Sequence, residues 1–317
     1  MGYPDPAGIR TIAVIGAGTI GASWAAWFLA RGYDVVASDP APAGEAFVRG
    51  FVADAWPALM RLGLGAGADP ARLSFERDPV AAARRGDVVQ ESAPERIELK
   101  QELLGRIDAA LPPERVIASS TSGFTVSAMQ TQMRHPERLV VGHPFNPPHI
   151  IPLVEVVGGG RTSEAAVDWA MAFYTAVGKH AIRIRKEIPG HVANRLQMAL
   201  WREVVHLVGE GVVSVADVDA AIALGPGLRW AIMGPALTFH LAGGTGGMAH
   251  FLDHFGAFME TRWGELGAPK LTPALAQALI DGVAVEAGGR SIAALAAARD
   301  TTLLDILAVL AKRQAAR

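Results

Sequence analysis

The chain has no cysteine among its 317 residues, which excludes disulfides, thiolate metal sites and cysteine nucleophiles. Charge is sparse and balanced: 19% of residues are charged, with 29 Lys plus Arg against 31 Asp plus Glu, for a formal net charge of −2. A protein that lives on phosphate backbones carries a basic excess or stripe, so no nucleic-acid partner is expected. Long apolar runs are missing too. The longest are broken by Arg, Asp, Gly or Pro well before the ~18 residues of a membrane-spanning helix, so no membrane partner is expected. Residues 1–10 hold Pro and Gly without an apolar core, and no export signal is expected. Half of the residues are hydrophobic, which excludes general disorder. At roughly 150 residues per domain, the length suggests two domains. The expectation is a soluble, cytoplasmic protein.

The N-terminal half alternates short apolar runs with segments of helical spacing. Runs at Thr11–Ile15, Asp34–Ser38, 87–90, 115–118 and 139–142 read as strands. Thr19–Ala30, with Ile20, Trp24, Trp27 and Phe28, and residues 94–110, with a proline early, read as helices. Strands alternating with helices predict a doubly wound α/β domain, a parallel sheet with helices on both faces. A further apolar run (151–157), a helix (163–177) and a strand (180–185) follow. After Pro189-Gly190 only helical patterns remain, punctuated by Gly and Pro. An all-helical domain is expected there, with domains at 1–188 and 189–317.

The first strand runs into Gly16-Ala-Gly18-Thr19-Ile20-Gly21, a GxGxxG turn that opens a helix. Gly16 allows the tight turn, Gly18 lets backbone approach a pyrophosphate, and Gly21 lets the helix pack on the strand. The helix N-terminus, from Thr19 and Ile20 onward, supplies amide donors. A plain strand–turn–helix has the same glycines, but here the second strand ends in Asp39. A carboxylate there accepts hydrogen bonds from ribose hydroxyls and repels a 2′-phosphate, which points to NAD as cofactor. Elsewhere, Gly142-His143-Pro144-Phe145-Asn146-Pro147 ends one strand, and Glu155 sits inside the next. Strand periodicity puts Glu155 among apolar neighbours, where a carboxylate needs a partner. His143 is the nearest candidate. Such a pair suits alcohol oxidation: the imidazole takes the hydroxyl proton and the carboxylate orients the ring. A core histidine bonded to backbone, beside an unrelated glutamate, is an equal reading of these residues alone.

With these motifs the chain resembles the 3-hydroxyacyl-CoA dehydrogenase family, from about Arg10 into the last helices. The resemblance implies a Rossmann-type domain followed by a helical domain that forms a homodimer. It implies His143 as general base and Glu155 as its partner. Ser122, in Ser119-Ser-Thr-Ser-Gly123, and Asn194, in Pro189-Gly-His-Val-Ala-Asn194, match residues that contact the substrate oxygen, Ser122 also lying near the nicotinamide. Glu95 and Lys100, in Glu91-Ser-Ala-Pro-Glu95-Arg-Ile-Glu-Leu-Lys100, match cofactor-side positions.

Within the family, His143-Pro-Phe145-Asn146 and Gly225-Pro-Gly-Leu-Arg229-Trp230 depart from the acyl-CoA enzymes. They are similar to the L-carnitine dehydrogenase branch, with the L-gulonate 3-dehydrogenase and λ-crystallin branch next. Both act on free 3-hydroxy carboxylates, so a small-molecule 3-hydroxy acid is the expected partner, with a 3-hydroxyacyl-CoA such as 3-hydroxybutyryl-CoA as the alternative substrate. Arg229 then anchors the substrate carboxylate bidentately; packing of a surface arginine on Trp230 is the alternative. Trp230, Phe145, Phe124 and Phe239 are candidate faces for a quaternary ammonium, and Asn146 is placed with the substrate residues. Since λ-crystallins are lens proteins, a structural NAD-binding body is the non-enzymatic alternative. His250 and His254 have the spacing of a metal pair but no third ligand, so no metal is expected.

Overall fold

The computed structural model describes residues 2–315 and forms two compact units, one running to Asn194 and one starting at Arg195. In the first unit the elements in chain order are β1 (Thr11–Ile15), α1 (Thr19–Ala30), β2 (Asp34–Ser38), α2 (Gly44–Leu62), β3 (Leu73–Phe75), α3 (Pro79–Arg85) and β4 (Val88–Glu91). Then follow α4 (Ile97–Ala110), β5 (Ile117–Ser119), α5 (Val126–Met129), β6 (Leu139–Pro144), β7 (Leu153–Gly158), α6 (Glu164–Ala176) and β8 (His180–Arg183). One eight-stranded sheet has the order β3-β2-β1-β4-β5-β6-β7-β8. Alternate residues feed opposite faces. Ile12, Val14, Val35 and Val140 pack with Trp24, Phe28 and Phe173, whereas Ala13, Ile15, Val36 and Val141 pack with Leu104, Ile107 and Met129. The helix α1 is buried from Gly21 to Ala30, as expected of a helix apolar all round. Trp24 stacks on Phe28 within it at 5.0 Å between ring centroids.

The doubly wound α/β expectation holds, with two corrections. β7 runs antiparallel to β6, so the sheet is only mostly parallel. Eight residues, 145–152, join these strands, and a parallel return needs a crossover of a dozen or more. α4 begins at Ile97, three residues later than the proline suggested. The preceding loop is held open by Ala93, whose N–H donates to Glu91 Oε1 at 2.6 Å and whose carbonyl accepts from Lys100 Nζ at 3.0 Å.

The second unit contains helices only among the described residues. After α7 (Ala193–Gly209), which begins just ahead of it, come α8 (Val215–Leu224), α9 (Pro226–Trp230), α10 (Pro235–Ala242), α11 (Gly247–Trp263), α12 (Pro273–Ala287) and α13 (Ile292–Ala315). Its buried cluster is small: Val205, Val215 and Leu279, joined by Val208 and Leu275. Many large apolar side chains are exposed, among them Trp201, Leu228, Phe258, Trp263 and Val285. Among the described residues no helix is long and apolar enough to cross a membrane.

Candidate active site

The chain leaves β1 for α1, on one side of the sheet, while β4 continues on its other flank. In such a sheet, ligands bind where the strand order reverses, outside the carboxyl ends of the strands. The glycines of the first turn are built for that position. Gly16 has φ +91°, and a Cβ there would come within 2.6 Å of the Ser92 carbonyl. A Cβ on Gly21 would meet the Gly16 carbonyl at 1.8 Å, whereas one on Gly18 would meet nothing within 4 Å. The first and third glycines therefore close the turn, and the second faces free space. No side chain caps the start of α1, so the first-turn amides around Thr19 and Ile20 are available to an anionic group. Asp39 is fastened to the same turn: Oδ2 accepts from Ala17 N–H and Oδ1 from Ala41 N–H, each at 2.9 Å. The turn thus fits a dinucleotide, with a carboxylate beside it.

Next to it is a cavity of about 210 Å³ lined by Ile20, Ser92, Ala93, Glu95, Lys100, Ser120 and Ser122. Glu95 Oε1 accepts from the Thr121 hydroxyl, from Ser122 N–H at 3.0 Å and from Gly123 N–H at 2.7 Å. Burial pushes the Glu95 carboxyl up, but Thr121, Lys100 and the Gly123 amide outweigh it and hold the group below its ordinary value. Ser122 is exposed on this loop. Lys100 stands behind it with 1% of its side chain exposed, 2.8 Å from Glu91 Oε1 and 3.3 Å from Glu95 Oε2.

At the end of β6, the antiparallel ladder sets His143 directly opposite Glu155. His143 Nδ1 lies 2.8 Å from Glu155 Oε2. The other oxygen, Oε1, accepts from Val192 N–H and Ala193 N–H, each at 2.9 Å. Burial raises the Glu155 carboxyl, yet His143 and the two amides more than compensate and hold it below its ordinary value. An ionised carboxylate only accepts, so His143 Nδ1 carries a proton and donates to Glu155. The arrangement is a buried imidazole held in orientation by a carboxylate. Phe145 is half-buried with its ring edge-on to His143 at 6.4 Å, and Asn146 is exposed. Asn194 is half-buried, one residue into α7. The connection 145–152 is anchored beneath: Ser23 Oγ on α1 accepts from His149 N–H at 2.8 Å, and Lys179 Nζ donates to the carbonyls of Pro148 and Ile151.

Two family models match consecutive parts of the chain: the 3-hydroxyacyl-CoA dehydrogenase NAD binding domain over residues 11–188, and the C-terminal domain over residues 190–288. The chain belongs to the 3-hydroxyacyl-CoA dehydrogenase family. It is 56% identical to an L-carnitine dehydrogenase of Streptomyces griseus over 95% of this chain and 90% of that protein. An L-carnitine dehydrogenase of Streptomyces coelicolor is 55% identical over 96% of this chain and 95% of that one. The fold is similar to that of a 5-formyl-3-hydroxy-2-methylpyridine 4-carboxylic acid 5-dehydrogenase, described as an NAD+-dependent dismutase. The TM-score is 0.82 and the identity 30%, covering 95% of this chain and 98% of that one. As a member of the 3-hydroxyacyl-CoA dehydrogenase family the protein is an NAD-dependent oxidoreductase acting on CH–OH.

The structure gathers the glycine turn, Asp39, Glu95, Lys100, Ser122, His143, Glu155 and Asn194 within the first unit. Arg229 and Trp230 belong to α9 of the second unit, both exposed, Trp230 by 41%. Phe239 is also exposed and stacks on Phe251 at 4.9 Å, while Phe124 packs against the core of the first unit. Three further residues packed around these were not singled out from sequence. Glu91 had a signal, a carboxylate at a strand end nine residues before a lysine. Gly142 had none: a Cβ there would meet the Tyr174 hydroxyl at 1.9 Å, which itself donates to Gln90 Oε1 at 2.6 Å. His191 was visible only as part of the Asn194 segment.

Proposed function

We propose that the protein oxidises the 3-hydroxyl of L-carnitine to 3-dehydrocarnitine, with His143 as general base and Glu155 as the carboxylate that orients it. The observation that carries this reading is the buried His143–Glu155 hydrogen bond, in a chain about half identical to L-carnitine dehydrogenases along most of its length. NAD, when bound, supplies the hydride acceptor. Gly16, Gly18, Gly21 and the amides at Thr19 and Ile20 would hold its pyrophosphate, Asp39 its adenosine ribose, and Glu95, supported by Lys100, the nicotinamide side. As the C–H bond of the alcohol breaks, its O–H proton passes to His143 Nε2. The imidazolium that forms is stabilised by Glu155 across the Nδ1 bond, so the positive charge never stands alone in a buried site. Ser122 and Asn194 hold the substrate oxygen on the other side, polarising it as it becomes a carbonyl.

Arg229 takes the substrate carboxylate with its planar pair of donors. Trp230 and Phe145 are the proposed aromatic faces for the trimethylammonium group, each such contact contributing roughly 0.5–2 kcal/mol, and Asn146 is proposed as a further substrate residue. The exposed apolar side chains of the second unit support a homodimer built through the helical domain, and the use of NAD suits the cytoplasm. The test is NADH formation with L-carnitine, L-gulonate, 3-hydroxybutyrate and 3-hydroxybutyryl-CoA under one set of conditions. Highest kcat/KM for L-carnitine is expected. Preference for the thioester would overturn the free-acid reading, and absence of NADH with every compound would favour a structural role.

A further inference from the structure

His191 is 2% exposed and adopts φ +52°, the single positive-φ residue other than glycine among the described residues. A Cβ disfavours that conformation, so the surroundings must hold it. The turn before it is built for the purpose. Ile188 O accepts from His191 N–H at 3.2 Å, and between them stand Pro189 and Gly190, the latter at φ +79°, the residues a type II turn favours. The next two amides, Val192 and Ala193, are the pair that donates to Glu155 Oε1. His191 Nε2 lies 2.9 Å from the Thr121 carbonyl. A carbonyl only accepts, so the proton is on Nε2. Thr121 in turn gives its hydroxyl to Glu95 and precedes Ser122, and the His191 ring is 4.8 Å from that of His143. One side chain therefore joins the serine loop, the start of α7 and the His143–Glu155 pair.

We infer that His191 is a positioning residue for the oxidation: its bond to Thr121 O fixes the turn that aims the Val192 and Ala193 amides at Glu155. The inference rests on the reading of His143 and Glu155 as the catalytic pair. The two amides draw charge from the carboxylate and moderate its pull on the proton it shares with the imidazole. If the turn slackens, the carboxylate becomes more basic and the pair keeps its proton to higher pH. The titratable groups facing His191 are His143 on β6, Glu155 on β7 and Glu95 ahead of α4, with Lys100 paired to Glu95. Burial lowers the His191 imidazole against the Thr121 carbonyl, and His143 lowers it further against Glu155 and Glu95, so it stays neutral while the pair works.

Two variants separate the donor from the shape. His191→Phe keeps a planar ring and removes the donor, whereas His191→Gln places an amide nitrogen near the position of Nε2. Displacement of a catalytic group by about 1 Å costs on the order of a hundred-fold in rate. His191→Phe is therefore expected to lower kcat roughly ten- to a hundred-fold, with NADH affinity unchanged and the acid limb of kcat/KM moved to higher pH. His191→Gln should recover most of the rate and the native limb. Each is measured as NADH production with whichever of the four hydroxy compounds above turns over fastest, with Tm and NADH fluorescence titration alongside. An unmoved acid limb in His191→Phe, or equal losses in both variants, overturns the inference. His143→Gln is run in parallel: if it stays active, the catalytic pair itself is wrong, whereas an inactive His143→Gln with native-like His191 variants removes only the role of His191.

Discussion

Lys100 and Glu91 form a buried ion pair, Nζ to Oε1 at 2.8 Å, with neither side chain more than 1% exposed. Glu91 also accepts from Ala93 N–H at 2.6 Å and from the Ser119 hydroxyl, so the carboxylate at the end of β4 is fully committed. Its lysine is both a structural partner and the support behind Glu95. Removing one member of such a pair strands a buried charge and costs roughly 3–5 kcal/mol. Lys100→Met is thus expected to lose stability on that scale in urea denaturation, together with its NADH affinity. Native stability with weakened NADH binding would instead make Lys100 a simple cofactor contact.

Asp39 carries the second expectation. Its oxygens are fixed by Ala17 and Ala41, so it cannot swing away from an added phosphate. Like-charge juxtaposition costs several kcal/mol, which corresponds to a preference for NAD over NADP of roughly a hundred-fold or more in kcat/KM. Asp39→Ser should narrow that ratio while also weakening NAD, because the glycine turn loses its anchor. Equal use of both cofactors by the native enzyme would contradict the role of Asp39.

Much of this site was legible in residue order because its signals are local. The glycine turn and Asp39 follow strands whose apolar runs are unmistakable, and His143 and Glu155 lie close enough in sequence for neighbouring strands to pair them. What was not legible depends on distant contacts. His191 meets Thr121 across 70 residues, and Gly142 is required by a tyrosine on α6. β3 is three residues long, too short to display a period. α2 was not read from the sequence: Val48, Val52, Ala55 and Leu59 are buried at helical spacing, but Pro57 interrupts the pattern. The reversal of β7 follows from connection length, a quantity that strand–helix alternation does not encode.

The proposed catalytic pair, His143 and Glu155, gives the third expectation. His143→Gln removes the proton acceptor, needed in the transition state and not for cofactor binding. A positioned base contributes typically about 10²–10⁴-fold, so kcat should fall by that order with NADH affinity unchanged. Glu155→Gln should also be severe, as an amide does not neutralise an imidazolium. Near-native turnover in either variant would require another base.

Arg229→Met keeps most of the apolar stem and deletes the guanidinium. A charge-assisted hydrogen bond to a carboxylate contributes roughly 1.5–3 kcal/mol, or about ten- to a hundred-fold in KM or kcat/KM. The methyl ester of L-carnitine should lose the same factor with the native enzyme and little more with the variant. Unchanged kinetics with the free acid would remove Arg229 from the site.

Acid stability supplies the fifth. Glu95 and Glu155 both lie below their ordinary value of 4.5 in the folded state. The stability they contribute is therefore complete above that value and is lost as pH falls through their lower folded values. Glu95→Gln should flatten the fall in stability below the ordinary carboxylate range, measured by urea denaturation at stepped pH. A curve parallel to the native one would mean that its hydrogen bonds from Thr121 and Gly123 do not favour the ionised form.

The head-on pairing of His143 with Glu155 across an antiparallel ladder makes the site respond unequally to changes in chain length. Lengthening the exposed tip around Asn146 moves the side chains proposed to meet the substrate, yet the ladder restores the opposition of imidazole and carboxylate. Removing Val156, just after Glu155 inside β7, has the contrary effect. The pleat then turns that carboxylate to the other face of the sheet, among Val140, Trp24 and Phe173, and brings a valine opposite the histidine. Chain length at the hairpin tip therefore bears on the substrate residues proposed there, whereas the spacing inside the strand behaves as a reading frame for the pair.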